Sequence, residues 1–265
     1  MSEKLIIISS EDRDASESNT NSDFIVNLKE RYNTQNIARV LVKSIQVPNV
    51  FYNVRSGSGA PGSGTQNNTL LIQENGQPDA TATIPEGQYT TTTLLTALDT
   101  AINAQLVGGT VATTQNALTQ KLTFTFTSTT AKIYSNADGS TAADLVGIGT
   151  SSAIAASVVA DSLPNLSGVN KVFVHSQDVA LSHAIDGDSG LISAMDSLSF
   201  HNVAFGAMGY MQNPDAELAL IDYSSKSINL SRIRIVLRDN LGAKLDIGTS
   251  KMIVVLKVFY AMETD

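Results

Sequence analysis

Cysteine is absent from the 265 residues, which excludes disulfides, iron–sulfur clusters, Cys-ligated zinc and thiol nucleophiles. Tryptophan is absent too, and aromatic residues reach only 6%. An aromatic platform for sugars would have to be built largely from Tyr. Charged residues make up 16%, against ~25% in an average globular chain. With 42% hydrophobic residues, the chain is too apolar and too weakly charged for intrinsic disorder. The 17 Lys and Arg are outnumbered by 25 Asp and Glu, for a net charge of -8. A protein that grips nucleic-acid phosphates is ordinarily basic, because neutralising phosphate supplies most of the affinity. Direct nucleic-acid binding is therefore not expected. Long apolar runs are missing as well: residues 5–8 are too few for a signal-peptide core, and nothing approaches the ~18 residues of a membrane helix. Neither export nor membrane insertion is expected, and the sequons at Asn67, Asn165 and Asn229 should stay unused.

What is present is β periodicity. Phe24, Val26 and Leu28 alternate with Ile25, Asn27 and Lys29. Leu122, Phe124 and Phe126 alternate with threonines, and Ile233, Ile235 and Leu237 with Arg232, Arg234 and Val236. Each reads as a strand with one buried face. Residues 5–8, 40–47, 172–174 and 253–260 are more continuously apolar, the pattern of strands covered on both sides. One segment has helical spacing instead: after Thr90 come Leu94, Leu95, Leu98, Ala101, Ile102 and Leu106, stopped by Gly108-Gly109. A shorter helix is expected at 142–146. Ser and Gly dominate 55–68, which reads as a flexible loop, and 149–160 is a weaker Ser/Ala stretch. These two segments bracket a possible inserted subdomain, about 69–148, within a single domain spanning 1–265. Strands with one helical interruption point to an all-β sandwich carrying an insertion.

Several motifs suggest chemistry and lack the context it needs. Gly57-Ser58-Gly59-Ala60-Pro61-Gly62 matches a dinucleotide-binding glycine pattern, but Pro61 interrupts it and no helix follows. Gly187-Asp188-Ser189-Gly190 is similar to the serine motif of chymotrypsin-like proteases; Leu191 replaces the next glycine, and His183 is only six residues away. It reads as an acidic surface turn. Asp186-Gly187-Asp188 begins like a calcium loop, yet Ser197 stands where the bidentate acid should be. A weak cation site near Asp186 and Asp188 is the most this permits. His175, His183 and His201 show no i, i+4 pairing for zinc. No catalytic, cofactor-binding or metal residues are therefore assigned, and no enzyme activity is expected.

Taken in order, other segments carry a resemblance. Ile8-Ser9-Ser10-Glu11-Asp12-Arg13-Asp14 is followed by Asn21-Ser22-Asp23-Phe24-Ile25-Val26-Asn27-Leu28. Then come Ile45-Gln46-Val47-Pro48-Asn49-Val50-Phe51-Tyr52-Asn53-Val54, Ile84-Pro85-Glu86-Gly87-Gln88-Tyr89-Thr90 before the helix, and Leu163-Pro164-Asn165-Leu166-Ser167-Gly168. Ile235-Val236-Leu237-Arg238-Asp239-Asn240-Leu241-Gly242 precedes the last strand. Across nearly the whole chain this order resembles the penton (minor capsid) proteins of virophages and Polinton-like viruses, in the lineage of icosahedral double-stranded DNA viruses with jelly-roll capsids. The resemblance implies a jelly-roll β-sandwich and a homopentamer at the capsid vertices. Its neighbours would be trimers of a separate major capsid protein, and its location the virion, assembled inside the host cell. It supplies no catalytic residue.

Jelly rolls also serve lectins and cupins, so fold alone does not assign function. A carbohydrate-binding or adhesin-type β-sandwich is the alternative; a cupin-type enzyme would need clustered His and Glu ligands that are not visible. The final strand should be central, with Met252, Val254, Leu256 and Val258 facing one way and Ile253, Val255 and Phe259 the other. On the second face Lys257 should mark where that face meets a rim or a partner carboxylate.

Overall fold

The computed structural model describes residues 3–17, 20–28, 36–60, 62–176, 178–179, 184–186, 190–192, 194–200, 202–213, 220–222 and 230–260. The chain forms two compact units. The first comprises Met1–Phe51, Gly59–Gly64 and Val169–Asp265; the second comprises Tyr52–Ser58 and Thr65–Gly168.

Strands β1 (Glu3–Ser9), β2 (Asp23–Asn27) and β3 (Ile37–Pro48) open the first unit. The chain then passes through the second unit, with β4 (Thr69–Glu74), β5 (Asp79–Thr83), helix α1 (Thr91–Asn103), β6 (Thr110–Gln115) and β7 (Leu122–Thr127). β8 (Ala131–Ile133), α2 (Ala143–Val146) and β9 (Ser157–Val159) complete it. The return supplies β10 (Lys171–His175), β11 (Ala184–Asp186), β12 (Gly190–Ile192) and β13 (Ala194–Ser199). Last come β14 (Met208–Gln212), β15 (Leu220–Asp222), β16 (Arg232–Arg238) and β17 (Ile253–Tyr260).

Two antiparallel sheets build the first unit. One runs β1-β17-β3-β14, with β15 also on β3; the other runs β13-β10-β16-β2. The pairing is nested: β1 with β17, β2 with β16, β3 with β14, β10 with β13. First strand meets last and second meets second-last, alternating between sheets. That is the wrapping of a jelly roll. The alternation read from the sequence explains the packing: Ile6, Ile8, Val254, Leu256 and Val258 of the first sheet share one core with Phe24, Val172, Val174, Ile233 and Ile235 of the second. Gly209 on β14 shows how closely the layers meet, since a Cβ there would lie 2.3 Å from Phe200 Cε1 and 2.9 Å from Leu198 Cδ2.

The second unit has its own core, with Leu70, Ile72, Leu94, Leu98, Phe124 and Phe126 among its buried side chains. It holds two three-stranded sheets, β5-β4-β8 and β6-β7-β9. Helix α1 is where the spacing predicts it, opened by a capping box in which Thr90 and Thr93 exchange side-chain-to-backbone hydrogen bonds. Its polar side chains also serve the sheet. Asp99 accepts from Thr113 N–H at 2.6 Å, while Asn103 accepts from Val111 N–H at 2.7 Å and donates to Val111 C=O at 3.2 Å. These bonds satisfy the edge of β6 that faces away from β7. Glu74, 5% exposed, accepts from the N–H groups of Val107 and Gly108 at 2.6 and 3.0 Å and ties down the turn after the helix.

Segment 55–68, read as a flexible loop, is held by specific bonds. In the second unit the buried Arg55 donates to Thr65 C=O and Tyr52 C=O. In the first, Ser63 Oγ accepts from Asp246 N–H at 2.6 Å. Small residues were needed here for close turns, with Gly57 at φ 90° and Gly59 at φ 68°. Among the described residues no helix is long and apolar enough to cross a membrane.

Candidate assembly surface

The first sheet buries one face; on the other, outward residues of β1 and β14 are exposed, while Leu41 and Ser44 of the central β3 are buried. Outward residues fall in register across it. Leu5 stands opposite Lys257, Ile7 opposite Val255 and Ser9 opposite Ile253; Ile253 lies opposite Gln46 and Val255 opposite Ser44. On the far side Met208 and Tyr210 face Pro48 and Gln46. Leu5 is 56% exposed, Ile7 53%, Met208 53% and Tyr210 55%, while Ile253, Val255 and Phe259 are half-buried. Here the structure departs from the expectation that 5–8 and 253–260 are covered on both sides. Only the inward set, Ile6, Ile8, Val254, Leu256 and Val258, is buried. Lys257 meets a carboxylate of its own chain: its Nζ lies 2.9 Å from the Glu3 carboxylate and 5.3 Å from the Phe259 ring centroid.

The outer face of the second sheet is different in kind. Arg232, Arg234, Val236 and Arg238 point outward from β16, and Lys171 and Phe173 from β10. Arg234 grips Asp23 through Nε and Nη2 at 2.8 and 2.9 Å, Lys244 joins at 2.8 Å, and Arg232 pairs with Glu17 at 2.8 Å. Burial alone would raise the Asp23 carboxyl, but the hydrogen bonds and charges of Arg234 and Lys244 outweigh it and hold the group below its ordinary value.

The motifs singled out in the sequence lie only partly among the described residues. Asp186 and Gly190 are paired backbone partners of the β11–β12 hairpin; Gly187, Asp188, Ser189, His183 and His201 lie outside the described residues. His175 is 7% exposed, its ring 6.3 Å from that of Phe173. Among the described residues, no group of three or more His, Asp or Glu is placed to hold a metal ion. A groove of about 600 Å³ beside α1 is lined by Thr93, Ala97, Thr100 and Ala101, which carry no titratable group. A polar pocket of about 470 Å³ contains Glu11, Arg13, Asp246 and Lys251, with Glu11 already paired to Lys251.

The fold and its surfaces therefore define a jelly-roll β-sandwich with a helix-containing insertion, as the sequence led us to expect. No protein-family model matches the chain, and no curated protein sequence does. Among solved structures it is similar to the crystal structure of selenomethionine-labelled mavirus penton protein, with a TM-score of 0.53. The alignment covers 98% of this chain and 100% of that one at 8% sequence identity, so the likeness is one of fold.

Proposed function

We propose that the chain is a structural capsid protein, a penton that forms homopentamers at the vertices of an icosahedral capsid. One observation carries the reading: the match to a penton protein runs the length of both chains, 98% and 100%. The unsatisfied apolar face of the first sheet supports it, because a shell protein must bury surface against neighbours. A structural role also needs no catalytic group. In this reading the chain is one jelly-roll capsid domain bearing an inserted subdomain, resides in the virion, and abuts trimers of a major capsid protein. The test is quantitative imaging of purified particles with a tag on this chain. The tag should appear at the vertices, in five copies at each. Tag density on the facets, or none in the particle, would overturn the reading.

A further inference from the structure

We propose that the outward residues of β1, β17 and β14, which stay exposed or half-buried, form the surface onto which the next copy of this same chain packs. The inference rests on the penton reading and adds to it which side of the sandwich makes the contact.

β1 and β17 each carry two apolar sets. In β1, Ile6 and Ile8 face the core and Leu5 and Ile7 face out; in β17, Val254, Leu256 and Val258 face in and Ile253, Val255 and Phe259 face out. A strand apolar on both sides belongs between two covering layers, and the sandwich supplies one. Leu5 and Ile7 stay more than half exposed, which leaves the second layer to another molecule.

Area decides that this is a stable contact. The exposed fractions of Leu5, Ile7, Met208 and Tyr210, with the half-buried residues of β17, leave on the order of 600 Å² of largely apolar surface, against ~800 Å² per partner in a specific interface that is itself only about 60% apolar. Charge narrows the occupant. Lys257 is already matched by Glu3 within the face, and its most exposed side chains, Leu5, Ile7, Met208 and Tyr210, carry no charge. The outer face of the second sheet is charged instead, with Arg232 and Arg234 already paired to Glu17 and Asp23. A permanent apolar contact is the kind made between copies of one chain, and in a closed ring this face meets a different patch on the neighbour.

Sedimentation of the full chain tests both layers separately. The wild type should run at five times the 28.0 kDa chain mass; a monomer or dimer would overturn the penton reading and this proposal with it. If the wild type is a pentamer, Leu5→Glu combined with Val255→Thr should weaken association about a hundredfold or more while leaving the melting transition in place. A variant that remains pentameric overturns the assignment of this face and leaves the penton reading standing. A second measurement covers the case in which that variant fails to fold. Because the chain has no cysteine, Leu5→Cys introduces a single thiol, and Leu118→Cys, at a site 94% exposed in the other unit, serves as the control. In the assembled protein Leu5→Cys should react with maleimide at least about tenfold more slowly than Leu118→Cys. Equal rates would show the face uncovered and overturn the proposal.

Discussion

Asp23 balances burial against two cations, and its titration is a stability statement. Its carboxyl is held below the ordinary 3.8, so the folded state binds the proton less tightly than the unfolded chain. The stabilisation is present above that ordinary value and is lost as pH falls through the lower folded one. Asp23→Asn should cost about 1–2 kcal/mol at neutral pH, and denaturant titrations of variant and wild type should converge well below 3.8. The sequence places Arg232 and Arg234 on an outward face, but it does not show that Asp23, more than 200 residues earlier, lies across from them. That depends on strand register, which is tertiary. Gly209 is similar: nothing local marks it, yet Gly209→Ala would press a methyl group onto Phe200. A loss of about 1–3 kcal/mol in thermal unfolding is expected from overpacking.

At the scale of elements, legibility follows pattern strength. Helix α1 was readable because its apolar residues recur three and four apart between a threonine cap and Gly108-Gly109. β7 was readable because Leu122, Phe124 and Phe126 alternate cleanly with threonines. β5, with the sequence Asp-Ala-Thr-Ala-Thr, offers too little apolar contrast to stand out. The bonds from Asp99 and Asn103 to β6 were also hidden, since an Asp and an Asn on a helix read as solvated polar residues. Thr90→Ala should cost the second unit about 1 kcal/mol through the lost cap. Asn103→Leu should cost about 1–3 kcal/mol, because it strands the N–H and C=O of Val111; hydrogen exchange at Val111 checks it directly. The paired variants Val254→Asp and Val255→Asp separate the two faces of β17. Val254 is buried in the core, so a charge there should abolish folding, at several kcal/mol. Val255 is half-buried and faces out, so Val255→Asp should fold, with its main effect on assembly. The sequence alone treated that side as equally covered.

For the whole molecule, periodicity gave the strands and the class but not their order; the jelly-roll wrapping came through the resemblance and is visible in the nested pairs. The terminal strand holds this order together. β17 pairs with β1 from Glu3 to Ser9 on one side and with β3 from Ile37 to Gln46 on the other. Truncation before Lys251 removes both ladders and exposes two strand edges, so no soluble protein should be recovered. What the sequence could not separate was cover from within and cover from without. An apolar run looks the same whether a second core layer or a second molecule lies over it, and in the structure Leu5 and Tyr210 stay exposed.

Electron-microscopy class averages of the purified protein test closed five-fold assembly of this chain most directly. Rings of five subunits are expected, each with its first-sheet outer face turned toward a neighbour. Averages showing isolated monomers, or two-fold dimers as the largest species, would contradict it.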